Sequence, residues 1–183
     1  MQPGQREVVV GCDNVEGGRA VTQHLIDRGR RNIAFVGQAG KGSPEFLDRY
    51  RGHKSALKDA GLEVLSGRHV DAISTEESGH DAAVRLIRRA IPFDAIVCAS
   101  DLMAIGAIRA LVEAGLRVPQ DVAVSGFDDI LAARFVNPPL TTVAQDAVAA
   151  GERLVDTLLR LVRAEKTVSV VLPANVVVRA SSG

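Results

Sequence analysis

The chain has 183 residues, 46% of them hydrophobic, and its 22 Lys+Arg balance 22 Asp+Glu. That is enough to bury a sizeable core in one domain or one domain and a fraction, while zero net charge excludes a general attraction to nucleic-acid phosphates or an anionic membrane. No apolar run approaches the roughly 18 residues of a membrane span and MQPGQREVVV lacks the apolar stretch of a secretory signal, so no membrane partner and a cytoplasmic location are expected.

The predicted elements alternate. Glu7 to Cys12 reads as a strand, and Asp13-Asn14 caps a helix from about Glu16 to Asp27, with Ala20, Val21, His24 and Leu25 on one face and Gly29 closing it. Ile33 to Gly37 is a second strand. The loop QAGKGSPE leads into a helix from about Pro44 to Ala60, with Leu47, Tyr50 and Leu57 marking its inner side and Gly61 its end. A strand around His69 to Ile73 and a helix from about Glu76 to Ala90 follow.

The stretch from Phe93 to Asp129 is a complete strand, helix, strand unit. Asp94 to Ala99 is apolar and β-branched, and Ser100-Asp101 is an N-cap pair, with Asp101 the expected cap. Ile105, Ile108, Leu111 and Val112 recur at helical spacing as far as Gly115, and Val118 to Asp121 turns the chain into the strand Val122 to Gly126. Strand and helix in strict alternation mean an α/β fold with a doubly wound parallel sheet. Such sheets bind ligands at the carboxyl ends of their strands, which here gather Ser100, Asp101, Asp128 and Asp129.

Beyond Asp129 the rhythm changes. Asn137-Pro138-Pro139 breaks a short helix, Leu140 to Val143 is a brief extended piece, and a helix spans about Asp146 to Arg163. Val148, Gly151, Val155, Leu158, Leu159 and Val162 give that helix a broad apolar stripe opposite Glu152, Arg153, Asp156, Arg160 and Arg163. Val168 to Leu172 and Asn175 to Arg179 read as two strands broken by Pro173.

Cys12 and Cys98 both fall in strands expected to be buried, which suits small hydrophobic cysteines better than a disulfide. His24, His53, His69 and His80 have no ligand spacing and are expected on helix and strand surfaces, so no metal or cofactor is expected. Gly37 to Ser43 sits where a phosphate loop would, but Lys41 comes too early for GxxxxGK[ST]; Ser125 lacks a GxSxG elbow. With no nucleophile, base and orienting group at plausible spacing, an enzyme is not expected.

The motifs HLIDRGRRNIAFVG, DRYRGHKSAL, SDLMAIGAIRALVEAGLRVPQDVAVSGFDD, PPLTTVAQD and VVVRAS, in this order, closely resemble the lactose-repressor (LacI/GalR) family of bacterial transcription regulators over nearly the whole chain. The resemblance implies the type I periplasmic-binding-protein fold: two similar subdomains closing on a small effector, a sugar or purine. Closure then alters how a helix-turn-helix holds operator DNA. It divides the chain into a remnant of the first subdomain and crossover (1–14), the C-terminal effector-binding subdomain (15–142), a helix crossing to the first subdomain (143–165) and closing strands (166–183). The chain is therefore expected to be a piece of a longer regulator, in which the first strand and the helix at 146–163 have lost their sheet. Self-association or altered packing of that helix follows, as does weak or undetectable effector binding by this piece alone.

The resemblance also implies site residues. Asp128 matches the carboxylate that accepts hydrogen bonds from effector hydroxyls or ring nitrogens, and Arg49 matches an arginine that reaches into the cleft. Ser100 stands where relatives place a polar side chain towards the ligand, and Gln145 matches a polar residue at the crossover. Ser74 stands where relatives often carry an aromatic wall; with no Trp and one Tyr the chain has few platforms for stacking on a sugar ring. Left open are a capping role for Asp128 or Asp129, for Ser100 a choice between ligand contact and capping, and a solvated Arg49. The expected function is an effector-sensing, dimerising domain of a DNA-binding regulator. The alternative is a periplasmic sugar-binding component of a transporter.

Overall fold

A computed structural model describes residues 8–40 and 42–183; Glu7, predicted to open the first strand, and Lys41 lie outside the described residues. The elements are β1 (Val10–Cys12), α1 (Asn14–Asp27), β2 (Ile33–Val36), α2 (Pro44–Asp59), β3 (His69–Val70), α3 (Glu76–Arg88), β4 (Ala95–Cys98), α4 (Asp101–Glu113), β5 (Ala123–Ser125), β6 (Thr142–Gln145), α5 (Ala147–Val162), β7 (Val170–Leu172) and β8 (Ala174–Val177).

The central sheet has the order β3-β2-β4-β5, all parallel, with Ile33 opposite Ala95 and Ala95 opposite Ala123. The residues of β2, β4 and β5 are all buried, which is why these strands read as continuous apolar runs rather than alternating ones. Right-handed crossovers then fix the layers. The step from β2 out to β3 puts α2 on one face, and the return through β4 to β5 puts α3 and α4 on the other.

Each helix pair is closed by glycines. A methyl group at Gly18 would overlap the Arg49 carbonyl oxygen, and one at Gly52 the carbonyl oxygen of Val15, so α1 and α2 cross backbone to backbone. Gly79 against Met103 and Gly106 against Glu76 do the same for α3 and α4.

The edge strand β3 is shorter than the predicted His69 to Ile73. The outward carbonyls of His69 and of its flanking residues Gly67 and Asp71 are taken by arginines one turn apart at the end of α3: Arg89, its C-cap, donates from Nη1 to Gly67 O (3.0 Å) and His69 O (2.7 Å), and Arg85 Nη2 donates to Asp71 O (2.9 Å). Charged side chains laid over an edge keep it from templating another strand. The double variant Arg85→Ala/Arg89→Ala is therefore expected to aggregate faster on warming while keeping its far-ultraviolet circular dichroism; light scattering equal to that of the unaltered chain would contradict this.

Five further sequence expectations are corrected. His53 is not a surface residue: only 3% exposed, it packs against Phe35 and Tyr50 and its Nδ1 lies 3.0 Å from Thr22 Oγ1. The inner face of α2 is Arg49, Gly52, His53, Ala56 and Leu57, with Tyr50 partly buried at its edge against Phe35 and Leu47 outside it, and Val112 is exposed on α4. Cys12 is half-buried, while Cys98 is buried; both are free thiols. β1 has not lost its partner, since it pairs in parallel with β7, Val10 opposite Val170 and Cys12 opposite Leu172.

β6 pairs antiparallel with β8 and continues from the central sheet through bridges from Ser125 to Thr141 and from Asp128 to Ala144. The predicted stripe on α5 is present and open: Val148, Val155, Leu158, Leu159 and Val162 are at least half exposed, and Thr157 is the buried residue of that helix.

Candidate functional site

The carboxyl ends of β4, β5 and β6 meet at one rim. Phe127 is buried there against α1, and the turn after it places Asp128 beside Gln145 at the end of β6. Gln145 Nε2 donates to Asp128 Oδ1 (2.6 Å), and the Asp128 N–H donates to Val143 O (2.9 Å). Arg49 comes from the inner face of α2. Its guanidinium stacks on the Phe127 ring at 3.6 Å, its Nε donates to Asn14 Oδ1 (2.8 Å), and its Nη1 donates to Ala99 O and lies 3.5 Å from Asp128 Oδ1.

Arg49 and Asp128 thus converge. The arginine is 6% exposed and the carboxylate 32%, so the cation forms the floor and the carboxylate the accessible face. Burial holds the Arg49 guanidinium below its ordinary range and pushes the Asp128 carboxyl up; the attraction of each for the other offsets part of both shifts. Arg49 Nη2 has no hydrogen-bond partner among the described residues.

Ser100 and Ser74 form a second polar point on the same rim. Ser100, 1% exposed, is the N-cap of α4, its Oγ accepting from Met103 N (3.4 Å), so the expectation that Asp101 caps this helix is corrected. Ser74 is exposed, and its hydroxyl donates to Ser100 Oγ (2.8 Å). Asp128 and Asp129 do not cap the following 3-10 turn, Leu131–Arg134, whose N-cap is Ile130 with no side-chain bond. Asp129 is held instead by Arg179 at 2.6 Å and Arg134 at 3.6 Å, turned from the cleft towards the last segment of the chain.

A cavity of about 440 Å³ opens beside Asp128 and Gln145, walled by Val10, Gly11 and Cys12 of β1, Leu172 of β7 and the start of α5. That volume suits a small organic molecule. Among the described residues no cluster of His, Cys, Asp or Glu could hold a metal ion. Ser125 is fully buried and its hydroxyl has no partner among the described residues, as far from an exposed nucleophile as its sequence context implied.

Two contributors escaped sequence reasoning, and a third, Asp101, was expected at the strand ends but as a helix cap. Asn14 and Phe127 hold Arg49 from α1 and from the end of β5, and Asp101 binds the turn that carries Asp128. Asn14 was visible beside Asp13 as a cap, but its bond to a side chain on the next helix leaves no local mark. The Phe127-Asp128-Asp129 run was the one local signal for the stacking platform.

Comparison with known proteins places these residues in context. A family profile for a periplasmic binding protein-like domain matches residues 22–182. The HTH-type transcriptional repressor PurR of Haemophilus influenzae is 35% identical over 158 residues, 86% of this chain and 46% of that protein. The HTH-type transcriptional regulator CelR of Thermobifida fusca is 37% identical over 182 residues, 98% of this chain and 53% of that protein. The chain thus spans about half the length of these curated relatives. Among solved structures, a transcriptional regulator CelR–cellobiose complex superimposes with a TM-score of 0.91 at 37% identity, covering 98% of this chain and 56% of that one. A regulatory protein of the LacI family from Chloroflexus aggregans gives 0.90 at 30% identity, covering 100% and 66%.

Proposed function

Because this chain belongs to the LacI family of transcription regulators and carries its periplasmic-binding-protein-like domain, we propose that it senses a small uncharged effector, a sugar or purine-like molecule, at the Arg49, Asp128 and Gln145 rim. The observation that carries this reading is the juxtaposition of the Arg49 and Asp128 side chains next to the 440 Å³ cavity. An ionised carboxylate accepts from hydroxyls or ring N–H groups, Arg49 Nη2 donates, and Gln145 can do either. Ser74 and Ser100 offer hydroxyls at the far side of the rim. The acidic face and the enclosed cation disfavour a phosphorylated ligand.

The domain works as one half of a clamp. An effector that bridges this rim to a facing subdomain favours the closed form only by the contacts it gains there, and in a homodimer closure is relayed to heads on operator DNA. Those partners, the division of the chain at residues 14, 142 and 165, and a cytoplasmic location are part of the same reading. The relatives named above are regulators, which favours a sensor over the transport component that shares the fold.

A thermal-shift screen of neutral sugars and purine bases on the protein with its facing subdomain present tests the assignment. One compound should raise the melting temperature, by an amount that grows with the logarithm of its concentration, and Asp128→Ala should abolish the rise. No stabilising compound, or a shift unchanged in the variant, would overturn it.

A further inference from the structure

Asp101, at the first position of α4, is completely buried, and its polar groups bracket the turn that carries Asp128. Its N–H donates to Phe127 O (2.8 Å), and its carboxylate accepts the Ile130 N–H (2.9 Å). The same carboxylate takes the hydroxyl of Thr142 (2.5 Å), whose Oγ1 in turn accepts the Asp129 N–H (3.4 Å). Between these anchors stand two consecutive non-glycine residues with positive φ, Asp128 at 113° and Asp129 at 50°. Such conformations are disfavoured for residues that carry a Cβ and persist only where the surroundings over-determine them. One residue here holds both ends of the strained pair, Phe127 through its backbone N–H and Ile130 through its carboxylate.

We propose that Asp101 is a positioning residue of the effector site: it clamps the 127–130 turn so that the Asp128 carboxylate is held beside Arg49 and Gln145. This rests on the reading of Asp128 as the effector carboxylate. The clamp also ties α4 to β6, the strand through which the chain crosses out of the central sheet, so cleft geometry and crossover share one bond network.

The charge environment makes the clamp sensitive to pH. Burial pushes the Asp101 carboxyl up to about 6, the bonds from Thr142 and Ile130 oppose that rise, and the carboxylates of Asp128 and Asp129 add to it. The remaining ionisable groups around it are Arg49 from α2, itself stacked on Phe127, and the buried thiol of Cys98 at the end of β4; Arg179 and Arg134 are spent on Asp129. The ionised form accepts both clamp bonds, and protonation surrenders an acceptor.

Nuclear magnetic resonance of the ligand-free chain tests this independently of any effector. The amide signals of Asp128, Asp129 and Ile130 should titrate together near pH 6, and Asp101→Asn should move them and remove that titration. Thr142→Val, which deletes a donor to the ionised form, should shift the midpoint upward, and Thr142→Ser should restore it; these two variants carry the test if Asp101→Asn fails to fold. Signals at 128–130 that are indifferent to Asp101→Asn, or a midpoint unmoved by Thr142→Val, would overturn the assignment. A failed ligand screen with these titrations intact would instead refute the effector reading and leave the clamp standing.

Discussion

Gly52→Ala is expected to destabilise the chain by about 3 kcal/mol, and Gly106→Ala by a similar amount, because the added methyl meets a backbone carbonyl that cannot rotate away. Elsewhere in a helix the same change removes backbone freedom from the unfolded state and stabilises by roughly 0.5–1 kcal/mol. Gly151, in the middle of α5 with nothing within 4 Å of an added Cβ, supplies that contrast: Gly151→Ala should raise stability. Denaturant unfolding of the three variants reads opposite signs from one chemical change. Equal signs would mean that the helix pairs are not in backbone contact. The effect at Gly52 bears on the site as well, since Gly52 lies one turn after Arg49 on the same helix face. Pushing α2 off α1 draws the guanidinium from Phe127 and Asn14.

The second large expectation concerns acid. Thr22 spends its proton on Gly18 O (2.8 Å), so the 3.0 Å contact with His53 requires the imidazole to donate from Nδ1. Burial pushes the His53 pKa down from 6.5 to about 3, with His69 and Lys54 adding to the shift. A depressed folded-state value means that the unfolded chain takes up the proton first. The stability that His53 contributes is complete above pH 6.5 and is lost as pH falls towards 3. The slope in that window is about 1.4 kcal/mol per pH unit.

Asp101, raised to about 6, has the opposite sign over part of the same range, because protonating it in the folded state relieves the cost of burying its charge. The unaltered chain therefore understates the histidine's share. The difference in unfolding free energy between it and His53→Gln should shrink steadily below pH 6.5; a difference independent of pH would show that His53 can be protonated within the folded chain.

Why the strands and helices of 93–129 were legible, and His53 and Arg49 less so, has a physical reason. Parallel strands buried on both faces leave unbroken apolar runs such as Ala95 to Ala99, and Ser100, Gly115 and Pro119 mark the boundaries between elements by local backbone chemistry. The inner face of α2 was misread because it carries Arg49, Gly52 and His53, two polar side chains and a glycine, where an apolar stripe was expected. A buried polar face satisfied by another element has no hydrophobic periodicity to betray it. The convergence of Arg49 and Asp128 was legible through the family motifs, but the Asn14 bond, the Phe127 platform and the Asp101 clamp depend on partners distant in sequence. β3 was drawn too long because Val70, Ala72 and Ile73 are apolar, whereas the chain pairs with β2 only as far as Val70 and Arg85 and Arg89 side chains cover the outer edge.

The parallel ladder of β1 with β7 sets an order of events. It joins Val10 to Val170 across the rest of the molecule, so forming it closes the longest loop the fold contains, for a reward of only a few hydrogen bonds. The short ladder has little apolar burial to cement it, since every residue of β1 and β7 is partly or fully exposed. It is expected to form last and open first, and its opening would remove one wall of the 440 Å³ cavity while the central layer stays intact.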